Sequence, residues 1–194
     1  MKRLASALAL AAVSCLPEPK YPGNEVMGTF ALDGKLSDDG CPALEELPRG
    51  GLSFNATYSR EKDASRTWLT LGGVSSEASF DGQVVASTRT AERRFSECGC
   101  GGDVTVVETL TLALLSSSQS QALEGACPGD AVDGGVPAPD ADAGLFGPAS
   151  GPKGFDAVRA CGRLVDEVLA APEGSPACAC SACLVRYTLS GGRI

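Results

Sequence analysis

Val104-Thr105-Val106-Val107-Glu108-Thr109-Leu110-Thr111-Leu112 decides the fold. The run is rich in β-branched residues and largely alternates apolar with polar side chains, the pattern of a half-buried strand. Upstream the same pattern recurs in shorter runs. Residues 74–80 meet residues 83–90 across Asp81-Gly82, a pair that marks a hairpin turn. Leu52, Phe54, Ala56 and Tyr58 share one face of another strand, and Thr67-Trp68-Leu69-Thr70-Leu71 is closed by Gly72-Gly73. Thr29-Phe30-Ala31-Leu32 opens the series, and the Asp33-Gly34 after it is either a tight turn or a bulge in one long strand. Leu184-Val185-Arg186-Tyr187-Thr188-Leu189 closes it. Short strands with tight turns predict a mainly β fold, an antiparallel meander forming a sandwich or small barrel.

Two stretches depart from this pattern. Residues 125–154 are dominated by Gly, Pro, Ala and Asp and bury too little to fold alone, so they read as a flexible loop. Asp130, Asp133, Asp140 and Asp142 lack the spacing of a calcium loop and read as its solvated acids. In residues 155–170, Phe155, Val158, Cys161, Leu164, Val165, Val168 and Leu169 recur at helical spacing. Asp156, Arg159, Arg163, Asp166 and Glu167 take the other face. The spacing predicts one C-terminal amphipathic helix, which Gly162 weakens by about 1 kcal/mol relative to Ala.

The nine cysteines divide into one and eight. Cys41, Cys98, Cys100, Cys127, Cys161, Cys178, Cys180 and Cys183 form an even set suited to a disulfide framework in an oxidising compartment. Aromatic residues make up only 5% of the chain, so disulfides, each worth about 2–4 kcal/mol, would supplement a modest core. Connectivity stays open. In extended chain, Cys98 and Cys100 share a face, as do Cys178 and Cys180, so each pair is expected to reach two other elements. The cluster Cys178, Cys180 and Cys183 also has the spacing of a soft-metal or thiol-exchange site. That redox spacing belongs to a strand-to-helix turn in an α/β fold, whereas here it leads into a strand, and staples are expected.

The ninth, Cys15, comes after Ala12-Val13-Ser14. Lys2 and Arg3 precede an uncharged run, residues 4–13, whose helical length of about 15 Å is half a hydrocarbon core. A charged start, a short apolar run and small residues before a cut describe a secretory signal. The order small-apolar-small-Cys resembles the lipobox of bacterial lipoproteins, with Ala12 where that family most often has Leu. The resemblance covers only the first 20 or so residues. It implies cleavage before Cys15, lipidation of Cys15 and, with Leu16 rather than Asp next in the chain, sorting to the outer membrane. The expected organisation is a signal peptide over residues 1–14, a lipidated tether over 15–24, and a β-rich domain over 25–194 with the loop at about 125–154.

Cleavage would leave 14 basic and 24 acidic residues, a balance that excludes nucleic acid as a partner. Histidine is absent, which removes His-dependent general bases, Ser-His-Asp and Cys-His arrangements and His-ligated metals. Ser150-Gly151-Pro152-Lys153 has the Ser-x-x-Lys spacing of penicillin-binding proteins, but Gly and Pro separate the two and the companion motifs are missing. No catalytic residues, cofactor or metal are therefore expected. The expected role is a lipid-anchored, non-enzymatic binding or structural module of the cell envelope, meeting the membrane through Cys15 and an envelope protein or ligand through its domain. The alternatives are a small-ligand carrier barrel, with Trp68, Phe54 and Tyr58 lining a cavity, or a thiol or metal protein using the Cys178, Cys180, Cys183 cluster.

Overall fold

The computed structural model describes residues 20–63, 65–98, 103–128, 155–170 and 181–194. Cys15, Cys100, Cys178 and Cys180 lie outside the described residues, as do the signal segment, residues 129–154 with their four aspartates, Ser150 and Lys153. Eight antiparallel strands close a barrel: β1 (Glu25–Asp39), β2 (Leu52–Arg60), β3 (Thr67–Leu71), β4 (Val74–Phe80), β5 (Val84–Arg93), β6 (Val104–Ser116), β7 (Ala157–Val168) and β8 (Cys183–Arg193). Each pairs with the next, and β8 returns to pair with β1, Gly34 lying opposite Leu189. Of sandwich and barrel, the chain takes the barrel. Asp33-Gly34 is no turn; β1 runs through it as one long strand, with register shifts between Val26 and Gly28 and between Leu36 and Asp38.

Period-two alternation sets the two faces. Phe30, Leu32, Ala56, Tyr58, Leu69, Val85, Leu110, Leu112 and Leu189 are buried together in one apolar core. Fully burying such side chains contributes about 1.5–3 kcal/mol each. Ser53, Asn55, Thr88, Arg163 and Glu167 alternate with inward-facing neighbours and are exposed. A transmembrane barrel has the reverse arrangement, an apolar band facing out and a polar interior.

Residues 155–170 do not form the expected helix. They form β7, paired with β6 from Val106–Val168 through Ser116–Ala157 and with β8 from Arg159–Gly192 through Val168–Cys183. Two features of the strand imitate a helical period. A register shift between Leu115 and Ser116 inserts a residue near Val158 and reverses the phase of the strand beyond it. The strand is also covered outside near its start: Ala160, Leu164 and Val168 join the core, while Cys161 packs outside with Ala113 and Leu115. Gly162 is not a helix weakness but a point of close approach. A Cβ there would lie 2.0 Å from the Thr111 carbonyl oxygen.

The described helix is a single short one, α1 (Ser117–Ala122), directly after β6. It starts at a capping box: Ser116 Oγ accepts from the Gln119 amide, and the Gln119 side chain accepts from the Ser116 amide. Among the described residues, two disulfides fasten the shell. Cys127–Cys161 holds the segment after α1 against the outside of β7, and Cys41–Cys183 joins the end of β1 to the start of β8.

The barrel's two ends differ. At the end where β1 begins and β8 finishes, Met27, Tyr58 and Phe155 are fully buried, and the Tyr58 ring lies 5.3 Å from Phe80 and 5.9 Å from Phe155. Arg193 seals this end, donating to the carbonyls of Phe155 (3.1 Å), Ala157 (3.3 Å) and Met27 (2.9 Å). The opposite end is only partly covered.

Candidate functional site

The partial cover is the β1–β2 loop, residues 40–51. Arg49 organises it, donating to Asp39 Oδ2 at 2.8 Å and to the carbonyls of Leu44 (2.9 Å) and Cys41 (2.8 Å). That guanidinium holds the Asp39 carboxyl below its ordinary range. Leu44 and Leu47 turn into the core with Phe95, and Glu46 accepts from the Ser96 hydroxyl at 2.9 Å, tying the loop to the β5–β6 connection.

Beside this cover lies a cavity of about 400 Å³, inside the range of small-molecule sites. Leu52, Phe54, Leu71, Val74, Leu110 and Leu164 form apolar walls, with Pro48 and Gly72 among the lining. Gly72 and Gly73, at φ +55° and +85°, make the two-residue turn between β3 and β4 that the sequence pattern marks. The cavity extends toward a thin part of the wall. β4 and β5 pair only as Ala78 with Ser87, Ser79 with Ala86 and Phe80 with Val85. Nearer the open end the two strands no longer pair, although β4 stays on β3 and β5 stays on β6 as far as Arg93. Val74, at this seam, lines the cavity yet is 55% exposed.

The polar part of the cavity is built from β5, β6 and β7. Glu108 is 5% exposed and forms ion pairs with both Arg89 and Arg93. Asp166, directly opposite Glu108 in the β6–β7 ladder, is 3% exposed, and its Oδ1 has no hydrogen-bond partner among the described residues. Burial, reinforced by the neighbouring Glu108 charge, pushes the Asp166 carboxyl up to about 6 against the opposing pull of Arg93 and Arg89. Tyr187 is buried on the adjoining strand, its hydroxyl also without a partner, and burial together with the Asp166 charge raises it. The result is an apolar pocket with a compensated charge network and one acceptor left open.

The aromatic trio expected to line a cavity separates. Phe54 lines the pocket, whereas Tyr58 belongs to the closed core, where burial pushes its hydroxyl up to about 12. Trp68 lies on the outer side of β3, next to Leu69 of the core, with the Arg66 guanidinium 5.2 Å from its ring centroid. Of the eight paired-set cysteines, Cys41, Cys127, Cys161 and Cys183 are placed in disulfides, and Cys98 ends a 3-10 turn, Ser96–Cys98. Cys183 is thus committed to Cys41.

Sequence reasoning misses Arg89, Arg93, Glu108 and Asp166. A signal for Glu108 is present: it shares its strand phase with Val104, Val106, Leu110 and Leu112, so its carboxylate points to the apolar side. Asp166 falls on the wet face of the expected helix and so gives no such signal. No family model matches the chain, and no curated protein or solved structure is significantly similar to it.

Proposed function

We propose that this protein is a lipid-anchored carrier or receptor for a small amphipathic ligand, held in the open end of the barrel. The observation that carries this reading is the apolar cavity of about 400 Å³ with Asp166 at its polar side, its Oδ1 buried and without a hydrogen-bond partner among the described residues. A purely structural module gains nothing from such a pocket, because voids and unpaired buried acceptors both destabilise a core. The lipobox-like sequence ending at Cys15 supports anchoring to the cell envelope, at the outer membrane. Lys20 and Tyr21 lie along the outer wall beside Thr57, Thr70 and the Gly72-Gly73 turn, so the described part of the tether runs back along the side of the barrel.

The test uses the processed protein, purified from membranes. Native mass spectrometry is expected to show the acyl mass, and an apolar fluorescent probe is expected to bind at one site per chain. Leu164→Trp, which fills the cavity, is expected to abolish probe binding while the far-ultraviolet dichroism of the barrel persists. A wild-type protein that binds no probe, or a filled variant that binds as well as wild type, defeats the carrier reading.

A further inference from the structure

We infer that the ligand carries a hydrogen-bond-donating head on an apolar body, and that Asp166 is the acceptor that receives this head. The inference rests on the carrier reading above and names the chemistry of its ligand. Each of the other charged groups in the cavity already has a partner: both Arg89 and Arg93 pair with Glu108. An anionic head would have to draw an arginine away from Glu108 and leave a buried carboxylate uncompensated. Asp166 differs, since it lines the cavity and its Oδ1 is buried without a donor. A hydroxyl or ammonium group placed there satisfies that oxygen without disturbing the arginine pairs. The ligand's body then lies along Leu52, Phe54, Leu71, Val74, Leu110 and Leu164. Tyr187 is the internal competitor, because its hydroxyl also lacks a partner and sits on the neighbouring strand. If it turned to donate to Asp166, no ligand donor would be needed.

Four probes that share a ten-carbon chain and differ only in the head separate these cases: n-decanol, n-decylamine, methyl decanoate and decanoate. Calorimetric titration of the full chain is expected to give tighter binding for the alcohol and amine than for the ester and the acid, by about tenfold to a hundredfold. The alcohol and amine arms then report whether the donor is neutral or charged. Asp166→Leu is expected to erase the donor advantage while the ester still binds, which shows that the cavity persists. Should that variant fail to fold, Asp166→Asn serves: it is expected to remove any preference of the amine over the alcohol. Tyr187→Phe is expected to keep the donor advantage. Equal affinities for all four heads in wild type, or a donor advantage that survives Asp166→Leu, overturns the inference and leaves the carrier reading standing. Binding of none of the four overturns the carrier reading itself.

Discussion

Asp166 carries a cost that the rest of the interior avoids. Its carboxyl is pushed from the ordinary 3.8 up to about 6, chiefly by burial, so the folded chain holds this proton more tightly than the unfolded chain does. Stability linked to the group is therefore full below about pH 4 and is lost as pH rises through about 6. The loss is on the order of 2–3 kcal/mol at neutral pH. Asp166→Asn removes the charge, so thermal melts at pH 7.5 are expected to show a higher Tm than wild type, with the gain shrinking toward pH 4.5. A gain of equal size at both pH values would mean that the carboxylate charge is not what strains the site. Glu108, opposite it, shares its charge with two guanidiniums. The sequence hints at Glu108 through the alternation of β6, but register alone decides which of the two acids meets the arginines.

At the scale of elements, legibility depends on how many faces of a strand are dry. β2, β3 and β4 are readable close to their true limits because each is bounded by turn residues and β2 alternates cleanly. β7 is not, because it slips phase near Val158 and is covered outside at Cys161, so its apolar residues fall three and four apart. Its β-branched valines are the better guide, and Gly162 is required there by the Thr111 backbone rather than tolerated. The cavity is half legible: its apolar walls derive from alternation, while its opening depends on where β4 and β5 stop pairing, which no local pattern records. That seam has a testable role. Continuing the observed register would place Ser75 opposite Thr90 on the outer face. A disulfide between Ser75→Cys and Thr90→Cys is expected to slow decanol uptake at least tenfold in stopped-flow measurements, with reduction restoring the rate. An unchanged rate in the oxidised double variant would place the ligand's path through the end of the barrel instead.

For the molecule as a whole, closure is the demanding step. β1 and β8 stand at opposite ends of the chain and become neighbours only when every intervening strand is in place, a topology that folds slowly. Cys41 and Cys183 lock that last seam at a sequence separation of 142, which on a chain-entropy basis is worth about 5 kcal/mol. The even cysteine set announces staples without saying where. What decides the pairing of Cys41 with Cys183 is the barrel itself, since closure brings the end of β1 beside the start of β8. Covalently, the segment from Cys41 to Cys183 is then a ring rather than a line. A protease that cuts one exposed connection, such as the β2–β3 loop, opens the ring but releases nothing. Limited proteolysis is expected to leave a single band on a non-reducing gel and two fragments once thiol is added. Outside a cell, where peptidases are met and chains are not remade, one broken bond would leave the molecule in one piece.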